Sequence, residues 1–104
     1  MNYDYSYQAW QFLDLGDGNV KLFVGDSDSW KLNSGCTKIV VEGDYAYVYG
    51  VSGSVYRIPV RGSTHMPSYP LSVLCRMMTS IGTSGYKCDL ISLEQAMEIV
   101  NESG

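Results

Sequence analysis

Basic residues are scarce in this chain. Seven Lys and Arg stand against eleven Asp and Glu, giving a net charge of −4. That balance argues against general binding of a phosphate backbone, which needs a clustered basic surface to release counterions. The acids are scattered rather than set in dense rows, so the chain is not a nucleic-acid mimic either; the negative charge serves solubility. Histidine occurs once and cysteine three times. The cysteines (Cys36, Cys75, Cys88) show no C-x-x-C spacing, which excludes a structural zinc motif and fits reduced, structural thiols. Cys75 falls in an apolar helical pattern and is expected in the core. No window approaches the ~18 apolar residues of a membrane span. The opening stretch from Met1 to Ala9 has no basic region followed by an apolar one, so a cytoplasmic protein without a secretory leader is expected.

Motifs for chemistry are missing too. His65 has no neighbour in a triad pattern and reads as a loop histidine. Asp26 and Asp28 are spaced like the start of a calcium loop, but Trp30 holds the fifth position and the later Gly and Glu are missing. Gly50-x-x-Gly53 and Gly82-x-x-Gly85 lack the Lys-Ser/Thr of a phosphate loop and read as turns or a helix stop. Glu94 with Glu98, and Asp14 with Asp17, read as solvated faces rather than acid–base pairs. No cofactor, no metal and no catalysis are expected.

What is present is a chain of 104 residues, 45% hydrophobic and 17% charged. That suits one folded domain over residues 1–104 and excludes disorder. Trp10–Leu15 and Val20–Val24 form a hairpin around Gly16-Asp17-Gly18-Asn19. Gly25–Gly35 reads as an irregular loop anchored by Trp30 and Leu32. Strands follow at Thr37–Glu42, Tyr45–Val51 and Ser54–Val60, with turns at Gly43-Asp44 and Ser52-Gly53. Pro59 cannot donate to a ladder, which places the end of the last of these at an edge. Residues 61–70, with Gly62, Pro67 and Pro70, connect to a helix that has Pro70 at its first position. Its expected apolar stripe is Leu71, Leu74, Cys75, Met78 and Ile81, and Gly82 is its expected stop. A loop and a short strand at Tyr86–Leu90 precede a capping box, Ser92 with Gln95. That box starts a second helix with Leu93, Ala96, Met97 and Val100 inward. Strands first and helices afterwards give an α+β class: an antiparallel meander of about five strands, with two short helices packed on one sheet face.

The most informative run is Tyr45-Ala46-Tyr47-Val48-Tyr49-Gly50. Side chains alternate along a strand, so Tyr45, Tyr47 and Tyr49 share one face and Ala46, Val48 and Gly50 the other. The small side is expected under the helices, and the tyrosines face away. Centring the next turn on Ser52-Gly53 pairs Tyr49 with Tyr56 and Tyr47 with Ile58, which adds Tyr56 to the row but sends Arg57 inward. A slip of one residue reverses both. Such a row would show an amphipathic patch of roughly 300–500 Å², the size of many interaction sites. The plainer reading is that tyrosine is a good strand former and that the N-terminal segment or loop 25–35 covers the row.

These readings converge on a non-enzymatic protein-binding module. Its class would be a small intracellular regulator or inhibitor, such as phages or mobile elements encode against host defence. The expected partner-binding residues are Tyr45, Tyr47, Tyr49, Tyr56, Trp30, Asp26 and Asp28. The partner is another protein, with a homodimer as a further arrangement and no membrane. The alternative is a binder of single-stranded nucleic acid or nucleotides that stacks bases on the aromatic face, with Lys38, Arg57, Arg61 and Arg76 as the available cations.

Overall fold

The computed structural model describes residues 2–61 and 65–103, the side chain of Ser103 excepted. Gly62 of the connector therefore lies outside the described residues. The class is α+β as expected, but the strands form two sheets and are more numerous. They are β1 (Tyr5–Ser6), β2 (Ala9–Asp14), β3 (Val20–Gly25), β4 (Trp30–Leu32), β5 (Cys36–Glu42), β6 (Tyr45–Gly50), β7 (Val55–Pro59) and β8 (Asp89–Ile91). The helices are α1 (Ser68–Thr83) and α2 (Leu93–Ser103). One sheet, A, has the order β1-β7-β6-β5; the other, B, has the order β4-β3-β2-β8. All pairings are antiparallel except β1 with β7.

The sheets pack face to face. Phe12, Leu22 and Val24 of sheet B meet Ile39, Val48 and Ile58 of sheet A, with Leu93, Ala96 and Val100 of α2 in the same cluster. Each fully buried side chain of this kind contributes about 1.5–3 kcal/mol. The other face of sheet B carries Ala9, Leu13 and Phe23, covered by Met66 and by Leu74, Val73 and Met77 of α1. The layers therefore run sheet A, sheet B, α1. A sheet buried on both faces needs a near-continuous apolar strand, and Val20-Lys21-Leu22-Phe23-Val24 has one. A sheet buried on one face needs alternation, and β6 has that.

Several expectations are corrected. The two helices do not share a sheet face: α1 lies outside sheet B, and α2 packs between the sheets. The small side of β6 is covered chiefly by sheet B, because an apolar sheet face buries far more of a flat surface than a short helix can. Loop 25–35 contains β4, with the Trp30 ring stacked on Phe23 at 5.7 Å. Helix α1 is rotated from the expected stripe. Pro70 and Leu74 are buried, while Leu71 and Cys75 point outward, so Cys75 is not a core thiol. The helix also runs through Gly82. It stops at Gly85, whose φ of +85° allows the Tyr86 N–H to reach the Ile81 carbonyl and the Gly85 N–H to reach the Gly82 carbonyl. The capping box of α2 forms as expected: Ser92 N–H donates to Gln95 Oε1, and Gln95 N–H donates to Ser92 Oγ.

Three polar side chains bolt the layers together. Trp10 Nε1 of β2 donates to the Pro59 carbonyl of β7. Asn101 of α2 accepts from the Ile39 N–H and donates to the Ile39 carbonyl, occupying the open edge of β5 as another strand would. Asn33, buried, accepts the Leu22 N–H at 2.8 Å and donates to Cys36 Sγ. Burial pushes the Cys36 thiol up to about 11, which keeps it neutral and unreactive at pH 7.

Replacing Asn33 by Ala orphans the buried Leu22 amide, so the expected loss is about 1–3 kcal/mol in urea unfolding. Asp14 supplies a pH test. The Gly16 N–H and the Lys87 ammonium, at 3.0 Å, hold its carboxyl below the usual carboxylate range. A depressed folded pKa gives stability that is present above about pH 4 and is lost as pH falls through the folded value. Wild type should therefore exceed Asp14→Asn in stability at pH 7, with the gap closing in urea titrations as pH falls below the usual carboxylate range.

Candidate functional site

Register decides which residues sit on the outer face of sheet A. Tyr45 pairs with Pro59, Tyr47 with Arg57 and Tyr49 with Val55. On the other side Lys38 pairs with Tyr49, Val40 with Tyr47 and Glu42 with Tyr45. Opposite residues share a face. Tyr45, Tyr47, Tyr49, Arg57, Lys38 and Val40 therefore stand together, away from the core. Tyr56 does not join them. It is 5% exposed and packs inward against Tyr5 at 4.9 Å, and burial pushes its phenol up. The expected register was one residue off, and a slip of one turns every side chain to the opposite face.

The N-terminal segment completes the face. Asp4 pairs with Val55 through both its backbone N–H and its carboxylate, which accepts the Val55 N–H at 2.7 Å. This lays β1 along β7 and brings Tyr3 over Tyr47, ring centroids 6.5 Å apart. Tyr47 is consequently only 7% exposed, while Tyr3 is 43% exposed. Part of the row is thus covered, as the plainer reading expected. Tyr45 and Tyr49 remain half-buried.

Arg57 lies at the centre. Its guanidinium carbon is 4.3 Å from the centroids of both Tyr3 and Tyr45, and its Nε donates to Ser6 Oγ at 3.2 Å. Lys38 Nζ lies 5.7 Å from the Tyr49 ring. Cation–ring contacts of this kind are worth about 0.5–1 kcal/mol each at exposed sites. Among the described residues the ion pairs are those of Lys87 alone, with Asp14 and Asp89. Arg57 and Lys38 thus hold no carboxylate.

The remaining expected partner-binding residues are elsewhere. Trp30 packs into the cluster under α1, on the opposite side of the molecule. The Asp26 carboxylate is engaged by its own turn, accepting from the Asp28 and Ser29 amides and the Ser29 hydroxyl, which holds it below the usual range. Asp28 is exposed in that turn. The structure therefore gathers Tyr45, Tyr47 and Tyr49 but separates them from Trp30. Sequence reasoning missed Tyr3 as a member of the face and left Arg57 undecided; the one-residue alternative register was the available signal.

A cleft of about 570 Å³ opens where β2, β5 and the start of α2 meet, lined by Trp10, Val41, Ile91, Leu93 and Met97, with Glu94 its one ionisable group. A smaller groove of about 350 Å³ brings His65 near Asp26 and Ser27, residues the sequence reading kept apart. No hydrogen bond joins His65 to Asp26, whose Oδ1 accepts three hydrogen bonds from its own turn. Among the described residues no three His, Cys, Asp or Glu side chains gather as a metal site. Comparison with protein-family models, with characterised proteins and with solved structures finds no match to this chain.

The burial difference along the row is measurable. Tyr47→Ala should lower stability by about 3 kcal/mol, in the range of a buried aromatic truncation. Tyr45→Ala should cost about 1 kcal/mol, chiefly the lost contact with Arg57. Urea unfolding of the two variants checks the order.

Proposed function

We propose that the protein is a non-enzymatic binding module that docks another protein on the outer face of sheet A. The observation that carries this reading is the Tyr3–Arg57–Tyr45 stack, set on a sheet face away from both core clusters. Tyrosine and arginine are enriched in interfaces and among their energetic hot spots. The stack also holds its side chains before any partner arrives, which lowers the ordering cost of association. The cleft offers little chemistry beside this, having a single ionisable group. A role as a small regulator or inhibitor, of the sort phages and mobile elements encode against host defence, suits a rigid one-face binder. The three free cysteines suit the reducing cytoplasm.

A second reading keeps the face and changes the partner to single-stranded nucleic acid. Cations interleaved with rings favour it. The net charge of −4 works against it.

The test compares wild type with the double variant Tyr45→Ala/Tyr49→Ala as affinity baits in extract of the source cells, with quantitative mass spectrometry. A partner recovered with wild type should fall at least about tenfold with the variant, while the variant still unfolds cooperatively. Equal recovery by both baits removes the face as the docking site. A labelled oligothymidine that binds in a salt-dependent way, with no protein partner recovered, transfers the assignment to nucleic acid.

A further inference from the structure

Arg57 has an unusual set of contacts for a half-buried arginine. The Tyr3 and Tyr45 rings both lie against its guanidinium, each centroid 4.3 Å from the guanidinium carbon. A guanidinium carries five N–H donors. One, on Nε, is given to Ser6 Oγ. The donors on the two terminal nitrogens find no acceptor among the described residues. Yet no buried side-chain nitrogen or oxygen there lacks a partner, so solvent reaches these donors. Among the described residues no carboxylate lies within salt-bridge distance, although the chain carries eleven acidic residues.

The setting is therefore an oriented cation with a free donor edge and no carboxylate partner among the described residues. Lys38 supplies a second cation on the same face, two strand spacings across the sheet and two residues along it, about 12 Å away. Glu42, opposite Tyr45, is the acid on the facing strand positions. Arginine receives a carboxylate through two parallel hydrogen bonds, and such charge-assisted pairs are about twice as strong as neutral ones.

We infer that the terminal nitrogens of Arg57 are a docking point for a carboxylate on an acidic segment of the protein partner, received beside the Tyr3 and Tyr45 rings, with Lys38 taking a second carboxylate about 12 Å away. The inference rests on the reading of this face as a protein-docking surface and adds the chemistry of what docks. Charge complementarity selects the acidic segment. A nucleic-acid backbone draws on several phosphate contacts at once, and here two cations share the face with Glu42.

The test is an NMR titration of the full chain, following the Arg57 Nε–Hε resonance and the backbone amides, with hexaglutamate as probe and a thymidine hexanucleotide as the competing class. Hexaglutamate should shift the Arg57 Nε–Hε signal and the amides of residues 45–49 and 55–57, saturating in the range of about 1–10 mM. Arg57→Gln should weaken this at least about fivefold, and Arg57→Lys should weaken it too, since the fork is lost. The wild-type side-chain signal reports directly, so the test survives a variant that folds poorly. An unmoved Arg57 signal at about 10 mM peptide, an equal response in Arg57→Gln, or tighter binding of the hexanucleotide each overturns the carboxylate point. If the peptide fails while partner recovery still depends on Tyr45 and Tyr49, the docking face stands and only its carboxylate chemistry falls.

Discussion

The loop between β6 and β7 is the constraint on which the outer face depends. It holds three residues rather than two: the Gly50 N–H donates to the Ser54 carbonyl, and the Gly53 N–H donates to the Gly50 carbonyl. Gly53 closes it at a φ of +93°, a conformation that other residues rarely adopt. One residue more in the loop changes the parity of everything after it. Arg57 turns out beside Tyr47, and Tyr56 and Ile58 turn into the core. A two-residue turn would have buried a guanidinium among Phe12, Leu22 and Val48. Burying an isolated charge is far more expensive than a small rearrangement of a loop. The apolar and polar pattern of β7 and the geometry of its loop therefore agree on one register.

From that register follows a division between the two sheets. Sheet B is buried on both faces, by sheet A on one side and α1 on the other, and it supplies most of the fully buried side chains. Sheet A is buried on one face only. Its other face is stabilised by cross-strand rings and cations rather than by a covering layer. This is why the tyrosines are neither fully exposed nor fully sealed. Tyr47 lies against Tyr3 and beside its cross-strand partner Arg57, and its neighbours keep part of their surface. Stability and the proposed docking draw on the same residues at this face, which is why the half-buried Tyr45 and Tyr49 are better probes of docking than Tyr47.

Local signals were legible where the physics is local. The hairpin of β2 and β3, the turn at Gly43-Asp44 and the reciprocal Ser92–Gln95 cap all depend on residues a few positions apart. Long-range pairings were not legible. β1 joins β7 across about fifty residues through two paired positions, too short a run for any periodicity to announce. β4 lies within a polar stretch and is held by the Trp30–Phe23 stack. The end of α1 was misplaced because a glycine inside a helix costs only about 1 kcal/mol, so Gly82 can be passed over when Gly85 completes a better cap.

The sequence by itself determined that Tyr45, Tyr47 and Tyr49 share a face, because the period of a strand is two and needs no other information. It also determined the α+β class, because the change from alternation to helical spacing is written along the chain. Only the tertiary structure decided that this face is an outer one, that Arg57 rather than Tyr56 belongs to it, and that Tyr3 closes over its centre. Each of those depends on which distant surfaces bury one another, and burial is a property of the packed molecule rather than of any segment.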